Sequence, residues 1–377
     1  MKRIRLHNEE FEGENDVYVL DDGTETVLVD AGAAMDTVRS DLEDGLATLD
    51  RTLADVDAVV LTHWHHDHAG LAGEIQRRSG ATVYAHEADA PLIAGTETSP
   101  LDAAAAREET LREWGVPEEP RAELADFVAA HLDLAGEDVD VTPLTDGDTV
   151  SAAGVELEAV HLPGHAAGLT AYATSLAELR ATTGDDADAW RADGDDGNDL
   201  AAASRDDGAT GEPPDGEALF VGDAILPVYT PNVGGADVRV EGPLAAYADS
   251  LVRLAARAPV VAFPGHRDPI TDPVERAATI LEHHRDRTRN VVDALATLGP
   301  STPWEVSAEL FGDLAAIHIL HGPGEAYAHL DHLAAHGVAE RDGRRYELVD
   351  TEADVDVDGL FPTIDAVEDD TAADDHS

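Results

Sequence analysis

The apolar positions of this chain change period several times, and each change predicts an element. Val17–Leu20 and Val27–Asp30 are short apolar runs on either side of Asp21-Asp22-Gly23, the pattern of a hairpin. Val38, Leu42, Leu46, Leu49 and Leu53 recur at spacings of three and four, which predicts one amphipathic helix. Ala58–Leu61 reads as a buried strand, Ala69 to Arg78 as a helix closed by Gly80, and Thr82–Ala85 as another strand. Residues 86–137 are Ala/Glu-rich and mostly helical in character. A second series of apolar runs predicts four more strands: Leu157–His161, Leu169–Ala173, Ala218–Val221 and Val260–Phe263. Between them, residues 183–217 are dominated by Asp, Gly and Pro, which predicts an exposed acidic loop insertion.

From about Pro273 the pattern becomes helical and stops at Gly299-Pro300. Thr302-Pro303-Trp304-Glu305 is a capping box with proline at the first helical position, and it opens a helix ending at Gly312. A further helix is predicted from Gly324 to Gly337, then a small hairpin, Val338–Glu340 and Arg345–Val349 around Asp342-Gly343. Three helices and a two-stranded wing describe a winged-helix-like domain over residues 286–350. Residues 1–285 form the larger domain, and 351–377 an acidic disordered tail.

The 377 residues include 79 acidic and 24 basic ones, a net charge of -55, and Lys2 is the sole lysine. The acidic residues are spread through well-patterned segments, which argues against general disorder. This lysine-poor, Asp-rich balance resembles the proteins of extreme halophiles, where molar salt shortens the screening length to roughly 3 Å. With no cysteine, disulfides, thiol nucleophiles and thiolate ligands are excluded. No apolar run approaches the ~18 residues of a membrane span. The basic start Met1-Lys2-Arg3-Ile4-Arg5 runs into Asn8-Glu9-Glu10 instead of a secretory core, so a cytoplasmic location is expected.

Chemistry enters directly after Ala58–Leu61, in Thr62-His63-Trp64-His65-His66-Asp67-His68. In an extended loop His63 and His65 point to one side and can share an ion, while Asp67 and His68 can reach a second. Imidazole and carboxylate suit zinc, with manganese or iron as alternatives. A lone histidine tract could be a solvated loop, but the same grammar recurs downstream. Leu162-Pro163-Gly164-His165, Phe220-Val221-Gly222-Asp223 and Phe263-Pro264-Gly265-His266 each carry an apolar strand into a turn presenting one ligand-type side chain. Strands of one sheet end at a common edge, so these ligands can converge. Two divalent ions close together would lower the pKa of a shared water, polarise the scissile carbonyl or phosphoryl group and stabilise the leaving group.

The set Asp30, His63-x-His65-x-Asp67-His68, His165, Asp223 and His266 resembles the metallo-β-lactamase (glyoxalase-II-like) hydrolases over roughly residues 10–270. The resemblance implies an α+β fold, a four-layer αβ/βα sandwich with the metals at one edge. It assigns His63, His65 and His165 to one ion, Asp67, His68 and His266 to the other, and Asp223 to both. Asp67 is the expected catalytic residue, orienting the attacking hydroxide and passing a proton to the leaving group. Asp30 fits the family's position for orienting a ligand histidine. His66, His86, His131, His161, His283, His284, His332 and His336 match no ligand role and are expected to be structural or solvated.

His63-Trp64-His65 and the helical, winged C-terminus are similar to the lactamase-beta-like subgroup, which includes a single-strand endoribonuclease. The chain departs from that subgroup where Arg267-Asp268-Pro269, instead of Gly-Pro, follows His266. The Gly-rich, Arg-bearing segment of glyoxalase II is absent after Asp223, which argues against a glutathione thioester. Lactone hydrolases place a tyrosine closer to the bridging aspartate than Tyr229 lies, and His65 argues against the diiron flavoproteins. The expected partner is therefore a small-molecule ester or thioester, with RNA as the alternative substrate. A DNA-binding regulator with a metal-sensing domain is a third reading. Glu325 and Asp331 in the would-be recognition helix count against it, since only Arg341, Arg344 and Arg345 in the wing are basic. Packing, or pairing into a homodimer, is the more economical role for this module. The pocket walls are expected from residues 86–137 and the insertion.

Overall fold

In the computed structural model β1 (Lys2–Leu6) pairs antiparallel with β2 (Asn15–Asp21), and β2 serves two cores at once. Val17 and Val19 join one apolar cluster, Tyr18 and Leu20 another. A strand whose two faces are both buried must be apolar at successive positions, which is why these runs show no polar alternation. The structure describes residues 1–8, 13–131, 136–183, 215–351 and 355–364. The expected acidic insertion lies almost wholly outside these residues, as do residues 352–354 and 365–377 of the expected acidic tail. The rest of that tail is ordered instead, with a 3-10 turn at Asp358–Leu360 and Val357 and Phe361 buried against the core of the second sheet.

β2 turns into β3 (Thr26–Val29) with Tyr18 opposite Val29, as the hairpin pattern predicts. The chain then forms α1 (Asp36–Ala47), β4 (Ala58–Val60), α2 (His66–Ala69), α3 (Ala72–Ser79) and β5 (Thr82–His86). The amphipathic helix ends sooner than its spacing predicts. Asp50 adopts a left-handed φ of 57°, and Leu53 reaches the core from a separate 3-10 turn. α4 (Ala90–Ile93), α5 (Ala104–Glu113) and α6 (Glu118–His131) resolve the Ala/Glu-rich stretch. β6 (Val141–Leu144) completes a six-stranded sheet in the order β1 to β6.

The second sheet contains β7 (Thr149–Ala152), β8 (Val155–His161), β9 (Thr170–Ser175), β10 (Glu217–Gly222) and β11 (Val261–Pro264), in the order β11-β10-β9-β8-β7. α7 (Leu176–Thr183) follows β9, and α8 (Pro243–Ala256) lies between β10 and β11. Tyr18, Val29 and Val60 of the first sheet meet Tyr172, Phe220 and Phe263 of the second in the central cluster. Val38, Leu42 and Ile75 of α1 and α3 cover the outside of the first sheet, and Leu244, Tyr247 and Leu251 of α8 that of the second. This is the four-layer αβ/βα sandwich.

α9 (Pro273–Leu298) runs unbroken through residue 285. Its first half packs Ala277, Ile280 and Leu281 against the second sheet. Its second half packs Val291 and Leu295 with α10 (Pro303–Phe311) and α11 (His318–Ala335). The Thr302 capping box forms as predicted: Glu305 N donates to Thr302 Oγ1, and Thr302 N donates to Glu305 Oε2. β12 (Ala339–Asp342) and β13 (Arg345–Leu348) make the hairpin. α11 starts six residues before the predicted Gly324, and Gly322-Pro323-Gly324 lies within it. A Cβ on Gly324 would stand 2.3 Å from Gly235 Cα, so glycine at both positions lets helix and loop meet backbone to backbone. Among the described residues no helix is long and apolar enough to cross a membrane.

Candidate metal centre

β3, β4, β10 and β11 run into turns at one edge of the sandwich, because β3–β4 and β10–β11 are parallel pairs. β8 is antiparallel to β9, itself antiparallel to β10, so β8 ends at this edge too. Asp30 follows β3, the His63–His68 segment follows β4, and His165, Asp223 and His266 follow β8, β10 and β11. The two sheets are tied there: Tyr172 Oη donates to Leu61 O (2.8 Å), Tyr18 Oη to Pro264 O (2.7 Å) and Asp16 N to Gly265 O (2.7 Å). A Cβ on Gly265 would lie 2.4 Å from His68 Cε1, so only glycine admits this approach.

The seven candidate ligands meet. His65 Nδ1 lies 2.9 Å from His63 Nε2 and 3.0 Å from His165 Nε2. His68 Nε2 is 3.7 Å from Asp67 Oδ2 and 3.6 Å from Asp223 Oδ1, and His266 Nε2 is 3.4 Å from Asp67 Oδ2. Asp223 Oδ2 stands between the two groups, 3.6 Å from His165 Nε2 and 3.7 Å from His266 Nε2. Two atoms each bound to one tetrahedral zinc stand roughly 3.4 Å apart. The second group matches that spacing and the first is slightly tighter.

The outer nitrogen of every ring faces an oxygen that leaves it protonated. His165 Nδ1 donates to Asn232 O (2.9 Å), His266 Nδ1 to Glu14 O (2.9 Å) and His65 Nε2 to Ala236 O (3.2 Å). His68 Nδ1 donates to Asp30 Oδ2 (2.9 Å). Thr62 Oγ1 gives its proton to Asp30 Oδ2 and so accepts from His63 Nδ1 (3.1 Å). In the neutral rings all five inner nitrogens are therefore bare lone pairs. Three of them converge at hydrogen-bond distance with no proton to share, an arrangement that a cation between them relieves. His68 Nε2, His266 Nε2 and Asp223 Oδ1 are buried with no hydrogen-bond partner. The residues fit divalent ions.

Electrostatics divide the two groups, favouring neutral rings in the first and, until a cation takes the place of the proton, charged ones in the second. Burial, then the neighbouring rings, push His63 well below its ordinary value and His65 down to about 3, the neutral state a ligand needs. Burial opposes charge on His68 and His266, but Asp67 and Asp223 outweigh it, holding His68 well above the usual range and His266 at about 9. Burial likewise opposes ionised Asp67 and Asp223, yet the adjacent histidines keep both carboxyls below the usual range. Asp67 Oδ2 also accepts from Asn15 Nδ2 (3.1 Å), and Asn8 Nδ2 braces Asn15 (2.8 Å).

Residues 12–174 match the family model described as the metallo-beta-lactamase superfamily. A metallo-beta-lactamase family protein of Thermus thermophilus superposes with a TM-score of 0.70 at 27% identity, over 92% of this chain and 98% of that one. Residues 12–174 are thus a metallo-β-lactamase superfamily domain, and the chain is a metal-dependent hydrolase. It is 26% identical to the probable metallo-hydrolase YqjP of Bacillus subtilis (strain 168), over 83% of this chain and 86% of the relative. A beta-lactamase domain protein of Burkholderia ambifaria shares the fold, with a TM-score of 0.67 at 21% identity over 92% and 91% of the two chains.

A cavity of about 220 Å³ opens on this superfamily site between His65, Asp67, His165 and Asp223 on one side and Leu101, Phe127 and Val128 on the other. Leu101, Asp102, Phe127 and Val128 of the 86–137 stretch thus build a wall, as expected, while the insertion expected to build another lies almost wholly outside the described residues. Ile317, Leu320 and His321, at the head of α11, build another that the sequence did not suggest. Trp64 lines the cavity and also packs inside, with Nε1 donating to Asp237 Oδ2 (3.2 Å). Sequence reading also passed over a buried polar hub beneath the loop. Asp89 accepts from Trp64 N (3.1 Å) and Gly168 N (3.0 Å), and Arg239 Nη2 joins Asp89 to Asp237 at 2.6 Å each. Isolated aspartates after no strand carried no signal.

Of the other histidines, His86 stacks on His161, and His284 and His329 lie buried between α9 and α11. Arg341 and Arg345 pair with Glu113 and Glu305, and Arg344 donates to Arg112 O. Glu325 pairs with Arg287, and Ala326, His329, Leu330 and Leu333 bury the face of α11 that adjoins it.

Proposed function

We propose that the centre holds two divalent ions, zinc foremost, and hydrolyses the ester, thioester or similar bond of a small molecule. His63, His65 and His165 hold one ion, Asp67, His68 and His266 the other, and Asp223 reaches both. The five bare imidazole nitrogens, each set by a protonated outer nitrogen, carry this reading. When bound, such ions supply a water acidic enough to ionise near neutral pH and an electrophile for the scissile oxygen. Asp67, its carboxylate fixed by Asn15 at the cavity floor, orients the attacking water and carries its proton to the leaving group. Asp30 acts through His68, keeping the proton on Nδ1.

The cavity favours a small ester over RNA. Among the described residues no arginine or lysine lines it, whereas phosphodiester chains are held by cations. The arginines of the β12–β13 hairpin are engaged with the protein itself. Residues 286–350, read as a winged-helix-like module, act as a wall of the site through the head of α11, and the division near 285 is a change of packing partner along α9. The test is to load the protein with zinc in molar KCl and offer acyl thioesters and labelled single-stranded RNA. Thioester turnover is expected, and Asp67→Ala and Asp223→Ala should lose bound metal and turnover together. A fully active variant without metal overturns the proposal, and cleavage of RNA alone transfers it to the nuclease.

A further inference from the structure

The cavity wall opposite the metal ligands is the open edge of a hydrophobic cluster. Leu101, Leu111, Leu124 and Leu320 are buried in it, and Phe127, Val128 and Ile317 pack against it half-buried. Phe127, Val128, Ile317 and Leu320 line the cavity. Cores normally close over such side chains, since apolar surface left facing water forgoes the free energy of burial. Here they face carboxylate and imidazole groups across an opening of about 220 Å³. That volume takes a group of a few carbons, below the usual range of drug-sized pockets. Asp102 faces His66 at the cavity lining, and among the described residues no arginine or lysine lines the cavity to neutralise an anionic group.

Resting on the hydrolase reading above, we infer that the bound acyl group is uncharged and apolar, a short alkyl or aryl chain seated between Phe127 and Val128 of α6 and Ile317 and Leu320 at the head of α11. An acyl chain bearing a terminal carboxylate would enter a low-dielectric wall in which no described residue is an arginine or lysine, close to Asp102. An alkyl chain instead covers the apolar side chains that line the cavity. The C-terminal helices thus supply selectivity to a reaction centre whose candidate ligands all lie before residue 267.

The experiment uses the zinc-loaded full chain and acetyl, butanoyl, hexanoyl and adipoyl thioesters of one thiol. kcat/KM should rise about fourfold per methylene from acetyl to hexanoyl, and the adipoyl ester should fall to the acetyl level or below. Ile317→Glu and Phe127→Asp should collapse the hexanoyl-to-acetyl ratio toward one. A second readout needs no turnover: hexanohydroxamate should raise the melting temperature of the zinc-loaded protein more than acetohydroxamate does. A flat or falling series with acetyl thioester turned over, or a preference for adipoyl, overturns the inference. If no thioester is cut but hexanohydroxamate still stabilises more, the acyl pocket stands and the bond assignment falls. Equal stabilisation by both hydroxamates, without turnover, overturns both.

Discussion

Asp30 and His68 are joined at 2.9 Å across the parallel β3–β4 edge, and the same carboxylate takes both Thr62 N (2.8 Å) and Thr62 Oγ1 (2.9 Å). Asp30 adopts a left-handed φ of 63°, unusual for a residue with a side chain, to reach all three. One carboxylate therefore sets the tautomer of His68 directly and that of His63 through the Thr62 hydroxyl. Asp30→Asn keeps the shape but offers an amide NH₂ that competes for the proton relation with His68 Nδ1. Metal affinity is expected to fall on the order of 10–100-fold, with near-unchanged circular dichroism. Competition with a coloured chelator measures it, and an unaltered affinity would remove Asp30 from the ligand-orienting role.

The close meeting of Gly324 with Gly235 links the C-terminal helices to the metal ligands. The 232–236 loop supplies Asn232 O to His165 and Ala236 O to His65, and Asn232 Nδ2 donates to His321 O (3.2 Å). Gly324→Ala forces a Cβ into Gly235 and must shift either helix or loop. A loss of about 1–3 kcal/mol in stability is expected, together with weaker binding of metal, because two imidazoles lose their acceptors. Urea unfolding and zinc titration of the same preparation check this. A stability loss with metal affinity intact would show that α11 and the ligand loop are not coupled.

How much of this could be read beforehand follows from the kind of signal each feature leaves. The strands of the sandwich were legible because burial on both faces demands unbroken apolar runs such as Val27-Leu28-Val29. The convergence of His165, Asp223 and His266 was legible because each follows such a run through glycine. The acceptors that fix the tautomers were not, since Glu14 O, Asn232 O and Ala236 O are main-chain atoms that every residue type carries. The head of α11 was missed because Gly322-Pro323-Gly324 reads as a break, whereas close backbone contact with Gly234 and Gly235 is what selects small residues there. Leu320 and Ile317 consequently looked like loop residues, and one wall of the cavity went unseen.

A pH dependence of stability is built between α9 and α11. Burial first, then His283 and Arg287, lowers His284 to about 3; burial, then His284 and Arg287, holds His329 well below its ordinary value. His332 and the Tyr247 ring face the same cluster. The folded state therefore disfavours the protonated rings that the unfolded chain acquires below pH about 6.5. Their contribution is present above that pH and is lost as pH falls toward the folded values, because the unfolded state then binds more protons. Between pH 6.5 and 5 His284 alone accounts for about 2 kcal/mol. His284→Leu should shrink the acid loss over that interval by a similar amount, read from urea midpoints of parent and variant. An identical pH slope in the two proteins would place the acid sensitivity elsewhere, with the metal ligands the next candidates.

Salt should stabilise this chain through its charge imbalance, and the shape of the response identifies the cause. With 79 acidic residues against 24 basic ones, the folded state concentrates like charges that the expanded chain holds farther apart. Arginines such as Arg257, which pairs with both Glu158 and Glu217, offset only a part. Screening acts through the Debye length, about 10 Å at 0.1 M and 3 Å at 1 M. The melting temperature should therefore climb steeply in KCl up to about 1 M and then level off. Exclusion of salt from the surface would instead give a rise that continues with concentration and is stronger in sulfate. A melting temperature indifferent to KCl from 0.1 to 1 M would show that the acidic surface does not strain the fold, and that its excess of aspartate needs another explanation.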